Sequence, residues 1–181
     1  MSGSKLGYYE DLVVGDVQRF DQGYTVTEQE LVEVASRWDP QPFHVDPVAA
    51  KASMFGGLVA SSVHVFAIWV ALGMEDPDKR SAAISALGFN HMKMREPIRP
   101  GDTLRSVATL KEKRLSQSRP HCGIVTMANE MFNQDNVLVF SIEHSYLIKC
   151  YGYDEALAAA KPAGSITSNY VPWSVFSHCS E

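Results

Sequence analysis

Two side chains that can exchange protons, Asp39 and His44, stand five positions apart in the run RWDPQPFHVDP, Arg37 to Pro47. Pro40 and Pro42 lie between them. Proline fixes φ and pushes the residue before it out of the helical region, so the spacing predicts an ordered, non-helical crank from Asp39 to His44. Such a crank holds a carboxylate and an imidazole at a set separation, where both can reach one water molecule and move a proton to or from it. Each residue alone has a plainer reading, since an aspartate that follows a helix and precedes proline is commonly a cap or turn residue.

The other reactive side chains make weaker patterns. His64 falls in a strongly apolar segment, which favours a core histidine or a pocket wall over a ligand. His91 and His144 fall on strand-like sequence, and His121 and His178 in turn or tail sequence. There is no HExxH, paired-cysteine or clustered-carboxylate spacing, so no metal site is expected. Cys122, Cys150 and Cys179 are scattered and odd in number, which argues against a disulfide framework and for a reducing, cytoplasmic setting. The net charge of −5 comes without a basic stripe, so nucleic acid is not an expected partner. The first twelve residues carry no apolar run of signal-peptide length, and serines and a histidine interrupt the apolar stretch Leu58 to Met74. The expectation is therefore a chain that is neither secreted nor membrane-spanning.

The elements that must position Asp39 and His44 are legible in outline. Thr27 with Glu30 three residues on is a capping-box signature, and Leu31, Val34 and Ala35 follow at helical spacing, predicting a helix from about Glu28 to Trp38. It places Asp39 at the helix exit. Asp46 and Pro47 read as the N-cap and first residue of a short second helix. FGGLVASSVHVFAIWVALGM, with Gly56 and Gly57 at its head, then reads as a helix of about sixteen residues that is apolar nearly all round and therefore buried. After it the period falls to two. Ala82 to Met94, DTLRSVATLKEKRL, CGIVTMANEMF and VLVFSIEHSYLIKC read as strands, with Leu138, Phe140, Ile142, Tyr146 and Ile148 on one face of the last. A further strand is expected near Val17 to Val26, and NQDN is a plausible hairpin turn. Strands following helices, rather than alternating with them, argue for an α+β fold with a curved antiparallel sheet around the buried helix. Residues 1–150 are expected to form this domain. Residues 151–181 form a tail, which is either loosely ordered or laid on a partner subunit through Tyr170, Trp173 and Phe176.

DPQPFHVDPVAAKASMFGGLVAS resembles the signature of the MaoC-like dehydratases, the (R)-specific enoyl-CoA hydratase group, in which Asp-x-Asn-Pro-x-His-x-Asp precedes a glycine-rich approach to a helix. PIRPGDTL resembles the P-V-x-x-G-D strand start common in that group, and the likeness covers roughly Tyr8 to Lys149. The resemblance implies the hot-dog fold, an antiparallel sheet wrapped around a long helix. It also implies reversible addition of water to a 2-enoyl thioester to give a (3R)-3-hydroxyacyl thioester, with Asp39 and His44 as the catalytic pair. Hydration needs a base for the water, an acid for C2 and donors for charge on the thioester oxygen. Those donors are expected among backbone N–H groups of Gly56, Gly57 and Ser62, where the chain approaches the helix. Coenzyme A enters only as part of the substrate, or an acyl carrier protein takes its place, and no other cofactor is implied. Lys93, Arg95, Arg99 and Arg105 are candidates for its phosphates, although a solvated strand face accounts for them equally. Hot-dog chains generally pair, so a homodimer or dimer of dimers is expected.

Three departures stand out. Gln41 replaces the signature asparagine, Ser62 stands where many members have glycine, and Val70 falls where some carry a polar residue that supports the catalytic acid, for which Asn90, His91 or a backbone group is the expected substitute. Two alternatives follow: a hot-dog thioesterase, against which the Asp39 and His44 spacing argues, and a non-catalytic acyl-CoA-binding subunit, which Ser62 and Val70 keep open. Met54, Phe55, Phe66 and Trp69 are candidates for restricting the acyl pocket.

Overall fold

The computed structural model describes residues 7–160. It divides into one unit that runs to Tyr151 and a second that starts at Gly152 and carries the helix α5, Tyr153–Ala160. The proposed contacts of Tyr170, Trp173 and Phe176 lie outside the described residues, as do His178 and Cys179.

Helix α1 spans Glu28–Trp38, with the Thr27 hydroxyl accepting from the Glu30 amide at its start. It buries Leu31 and Ala35 completely, four residues apart, which fixes the face it turns to the core. At its end Asp39 leaves helical geometry at φ −155°, as the residue before a proline must. The chain does not stay extended as far as the proline spacing predicts. Pro42–Val45 closes one helical turn, α2, because Pro42 occupies the first helical position, where its missing N–H costs nothing. His44 therefore sits on a helical turn, and the non-helical crank is confined to Asp39–Gln41. Helix α3, Pro47–Ala52, follows at once, with Asp46 Oδ1 accepting from the amides of Val48 and Ala49.

The buried helix α4 spans Ser62–Met74 and is shorter than the sequence suggests. Ser61, fully buried, caps it through the His64 amide, so Leu58 to Ser61 form an extended approach instead of its first turn. An all-round apolar stretch has no period from which to read such a start. Val65, Ile68, Trp69 and Leu72 carry α4 into a core with Leu104, Met131, Phe140 and Ile142 from the sheet.

Strands β1 (Val17–Thr25), β2 (Ala83–Met94), β3 (Thr103–Leu115), β4 (Cys122–Phe132) and β5 (Leu138–Lys149) form one antiparallel sheet in the order β1-β3-β4-β5-β2. Asn133 shapes the β4–β5 turn, its side chain accepting from the amides of Asp135 and Val137. Phe140, Ile142, Tyr146 and Ile148 of β5 are buried as the period of two predicts, while Leu138 is only partly covered. Strand β2 is an edge strand with nearly every residue exposed, including Leu87, Phe89, Met92 and Met94. No helix among the described residues is long and apolar enough to cross a membrane.

Candidate active site

The crank brings Asp39 and His44 together. His44 Nε2 lies 3.6 Å from Asp39 Oδ2, with the imidazole buried and the carboxylate about a third open to solvent. The other ring nitrogen, Nδ1, is 2.7 Å from the carbonyl oxygen of Val59. A carbonyl only accepts, so Nδ1 carries a proton, and in neutral His44 the lone pair is on Nε2, facing the carboxylate. The separation is too long for a direct hydrogen bond, and both atoms are within reach of one shared water. Short backbone bonds hold this arrangement: Asp39 N–H to Ala35 O, Gln41 N–H to Asp39 O and His44 N–H to Gln41 O, each 2.8 Å. Phe43 packs edge-on to the imidazole and against Phe55.

The approach to α4 lies against α2, because the Val59 amide also donates to the Phe43 carbonyl at 3.3 Å. Three residues later Ser62 opens the helix with its side chain exposed. The amides of Ser62 and Val63 have no hydrogen-bond partner among the described residues, whereas those of His64 and Val65 are taken by Ser61. Gly57 also has a free amide among these residues, but the Gly56 amide is engaged by the Ser53 carbonyl and is not available as a donor. Gly56 holds φ +66°, and the Arg99 guanidinium covers this loop, donating Nη2 to the Phe55 carbonyl at 2.6 Å. Of the other basic candidates, Arg95 bonds Ser141 and Arg105 bonds Asn136.

A cavity of about 400 Å³ lies between the C-terminal half of α4 and the sheet, walled by Phe66, Trp69 and Val70 of the helix and by Phe89, Asn129 and His144 of the strands. Asp39, His44, Gly56, Gly57 and Ser62 are not in its wall; it begins four residues, about 6 Å of helix rise, beyond Ser62. Of the residues expected to restrict an acyl chain, Phe66 and Trp69 line it, Phe55 packs on Phe43, and Met54 is almost wholly exposed. Val70 lies in this wall, and Asn90 and His91 lie on the exposed strand β2.

Two polar groupings were not assembled from the sequence. In the cavity wall the Asn129 amide lies 2.9 Å from His144 Nδ1, and burial pushes the His144 pKa down to about 4. The available signal was a polar residue on the buried face of each strand: His144 between Ile142 and Tyr146, and Asn129 between Met127 and Met131. Elsewhere, the Tyr24 hydroxyl donates to Glu30 Oε1, the same oxygen that lies 3.4 Å from Nε2 of the buried His64. Burial, with Glu30 adding to it, pushes the Tyr24 pKa up to about 12. Among the described residues no cluster of three histidine, cysteine or acidic side chains is placed to hold a metal ion.

The sequence profile of the MaoC-like domain matches residues 11–130. The chain is 30% identical to the uncharacterized protein YdeM of Bacillus subtilis over 140 residues, covering 77% of this chain and 97% of that protein. The crystal structure of the MaoC-like dehydratase from Rhodospirillum rubrum superposes with a TM-score of 0.73 at 33% identity, covering 79% of this chain and 97% of that one. A Mycobacterium tuberculosis protein with a double hotdog fold superposes with a TM-score of 0.66 at 15% identity, over 89% of this chain and 46% of that one, and shows the shared fold. With the β1-β3-β4-β5-β2 sheet around α4 and an Asp-His pair at the helix approach, the chain is a hot-dog protein that belongs to the MaoC-like dehydratase family.

Proposed function

We propose that this protein is an acyl-thioester hydratase/dehydratase, adding water reversibly to a 2-enoyl-CoA, or the matching acyl carrier protein thioester, to give the (3R)-3-hydroxyacyl thioester. The observation that carries this reading is the opposition of Asp39 Oδ2 and His44 Nε2 across 3.6 Å, with His44 Nδ1 committed to the Val59 carbonyl. In the hydration direction the two groups hold one water. The oxygen of that water bonds to C3 as its proton passes to the pair, the C2=C3 π electrons shift toward the thioester carbonyl, and C2 then takes up the proton held by the pair. Charge that gathers on the thioester oxygen needs donors, and the free amides of Ser62 and Val63 at the positive end of α4 are suited to supply them. Dehydration is the same path reversed.

The exposed apolar edge strand β2 supports a homodimer in which the two sheets continue across the interface. A sedimentation measurement giving a monomer at micromolar concentration would remove that part of the reading.

The test of activity is direct: incubate the purified protein with crotonyl-CoA and longer or branched 2-enoyl-CoAs, and follow loss of the enoyl absorbance beside Asp39→Asn and His44→Ala. Turnover in the parent that both substitutions abolish supports the hydratase. Retained acyl-CoA binding without turnover across the panel points instead to a binding subunit.

A further inference from the structure

We propose that the cavity beside α4 receives the distal part of the acyl group and that His144 and Asn129 make it selective for a chain bearing a neutral oxygen acceptor, such as an ether or ketone, over a plain hydrocarbon. The proposal rests on the thioester reading above and names the substrate class for that site.

The hydrogen-bond pattern fixes what His144 offers. Asn129 Nδ2 is 3.3 Å from the carbonyl of Met127, to which it must donate, and 2.9 Å from His144 Nδ1. The same NH₂ group therefore donates to Nδ1, and the proton of the neutral ring is on Nε2. Nε2 has no hydrogen-bond partner among the described residues, and the ring belongs to the cavity wall. Aromatic neighbours hold the ring in place: Tyr146 stacks at 5.3 Å, Phe89 stacks at 6.3 Å, and Trp69 meets it edge-on at 5.1 Å. Gln18, Ser81, Ser85, Ser106 and Tyr146 add polar groups to this wall, and His144 is the donor whose ring is fixed by its aromatic neighbours, the arrangement by which pockets select a polar atom at a fixed place on a ligand.

The charge of the acceptor also follows. Burial disfavours imidazolium, so His144 offers a neutral donor. The two cations at the rim are already engaged: Lys79 Nζ bonds Asp76 Oδ2 at 3.1 Å and the Arg19 carbonyl at 2.7 Å, and Arg80 donates to the Met74 carbonyl. Lys79 is thus paired with Asp76 and Arg80 is turned to a backbone carbonyl, and the neutral His144 donor itself matches an uncharged oxygen. A hydrocarbon chain in the same place leaves the Nε2–H facing carbon, the situation in which a site built around a donor discriminates against the analogue without an acceptor.

The experiment compares CoA thioesters in matched pairs, a saturated alkoxyacyl-CoA and its all-carbon isostere, by titration calorimetry, and then the corresponding 2-enoyl thioesters by kcat/KM. The parent protein should prefer the oxygen-bearing member roughly tenfold in both measurements. His144→Phe should bring the ratio to one or below, and His144→Gln, which keeps a neutral donor, should restore part of it. A parent ratio near one, a preference that survives in a folded His144→Phe, or no binding of either saturated thioester would overturn the proposal. If no enoyl thioester is turned over while the saturated pair still shows the His144-dependent preference, the hydratase reading fails and the selectivity stands. Turnover of both enoyl members at equal efficiency does the reverse.

Discussion

The imidazole of His44 donates its Nδ1 proton to the carbonyl of Val59 across 2.7 Å, and Val59 is three residues before the first residue of α4. One hydrogen bond thus sets the tautomer of neutral His44 and ties α2 to the approach of the helix whose free amides lie next along the chain. The two ends of the proposed reaction, proton transfer and oxyanion binding, are held by one contact between neighbouring backbone segments.

Asp39→Asn separates chemistry from folding. The backbone bonds of Asp39, from its N–H to Ala35 and from Gln41 to its carbonyl, do not need the carboxylate. We expect kcat/KM for an enoyl thioester to fall by about 10²- to 10⁴-fold, the usual worth of a positioned acid-base group, with a stability change within about 0.5 kcal/mol. His44→Ala should cost similar activity and in addition about 1–3 kcal/mol of stability, because the buried Val59 carbonyl loses its donor. Urea unfolding beside the kinetic assay checks both, and an Asp39→Asn enzyme of parental activity would remove the carboxylate from the mechanism.

How much of this was legible beforehand differs by element, for physical reasons. Helix α1 could be read to the residue because Thr27 caps it and Pro40 forbids its continuation past Trp38. The start of α4 could not, since residues 58–74 are apolar on every side and periodicity gives no edge. The adjacent serines leave a local rule unable to choose the cap. Asp39 and His44 were visible because two prolines lie between them, and the fold adds that Pro42 starts a turn of helix which His44 rides. Asn129 and His144 meet only through pairing of β4 with β5, and each strand alone shows just one polar residue in an apolar row.

The serine pair at α4 gives a test of that assignment. Ser61 is fully buried and its Oγ accepts from the His64 amide, whereas Ser62 is exposed and contributes its backbone. Ser61→Ala should destabilise by about 1 kcal/mol, the typical cost of an N-cap serine, and Ser62→Ala by less than about 0.5 kcal/mol. Denaturant midpoints of the two variants decide it, and equal losses would contradict the cap assignment.

Gly56 and Gly57 should respond differently to a methyl group. At Gly56, with φ +66°, a Cβ meets nothing within 4 Å, so the cost is conformational alone, about 1–2 kcal/mol for Gly56→Ala. At Gly57 a Cβ would approach Arg99 Nη1 to 3.3 Å, and the flexible guanidinium can give way. Gly57→Ala should therefore stay close to parental stability while loosening the hydrogen bond from Arg99 to Phe55. Thermal unfolding of both variants reads the difference. A larger loss at Gly57 than at Gly56 would mean that Arg99 is held rigidly.

The buried imidazole of His144 makes stability depend on acidity in one direction. Its pKa is pushed down to about 4 by burial, whereas an unfolded chain gives histidine its ordinary value of about 6.5. Between those two values the unfolded state binds a proton that the folded state refuses, so unfolding becomes easier as the pH falls through this window. Above about pH 6.5 the contribution of the neutral ring is fully present, and below about pH 4 no further loss comes from this group. Carboxylates titrate in part of the same range, so the comparison must be with a variant that lacks only the imidazole. Relative to His144→Phe, the parent should lose stability on going from pH 7 to pH 4.5, with a slope that cannot exceed about 1.4 kcal/mol per pH unit for one proton. Urea unfolding of both proteins at pH 7, 5.5 and 4.5 measures that difference. Parallel curves would mean that the folded protein accepts a charged His144, and the wall of the cavity would then have to hold an imidazolium.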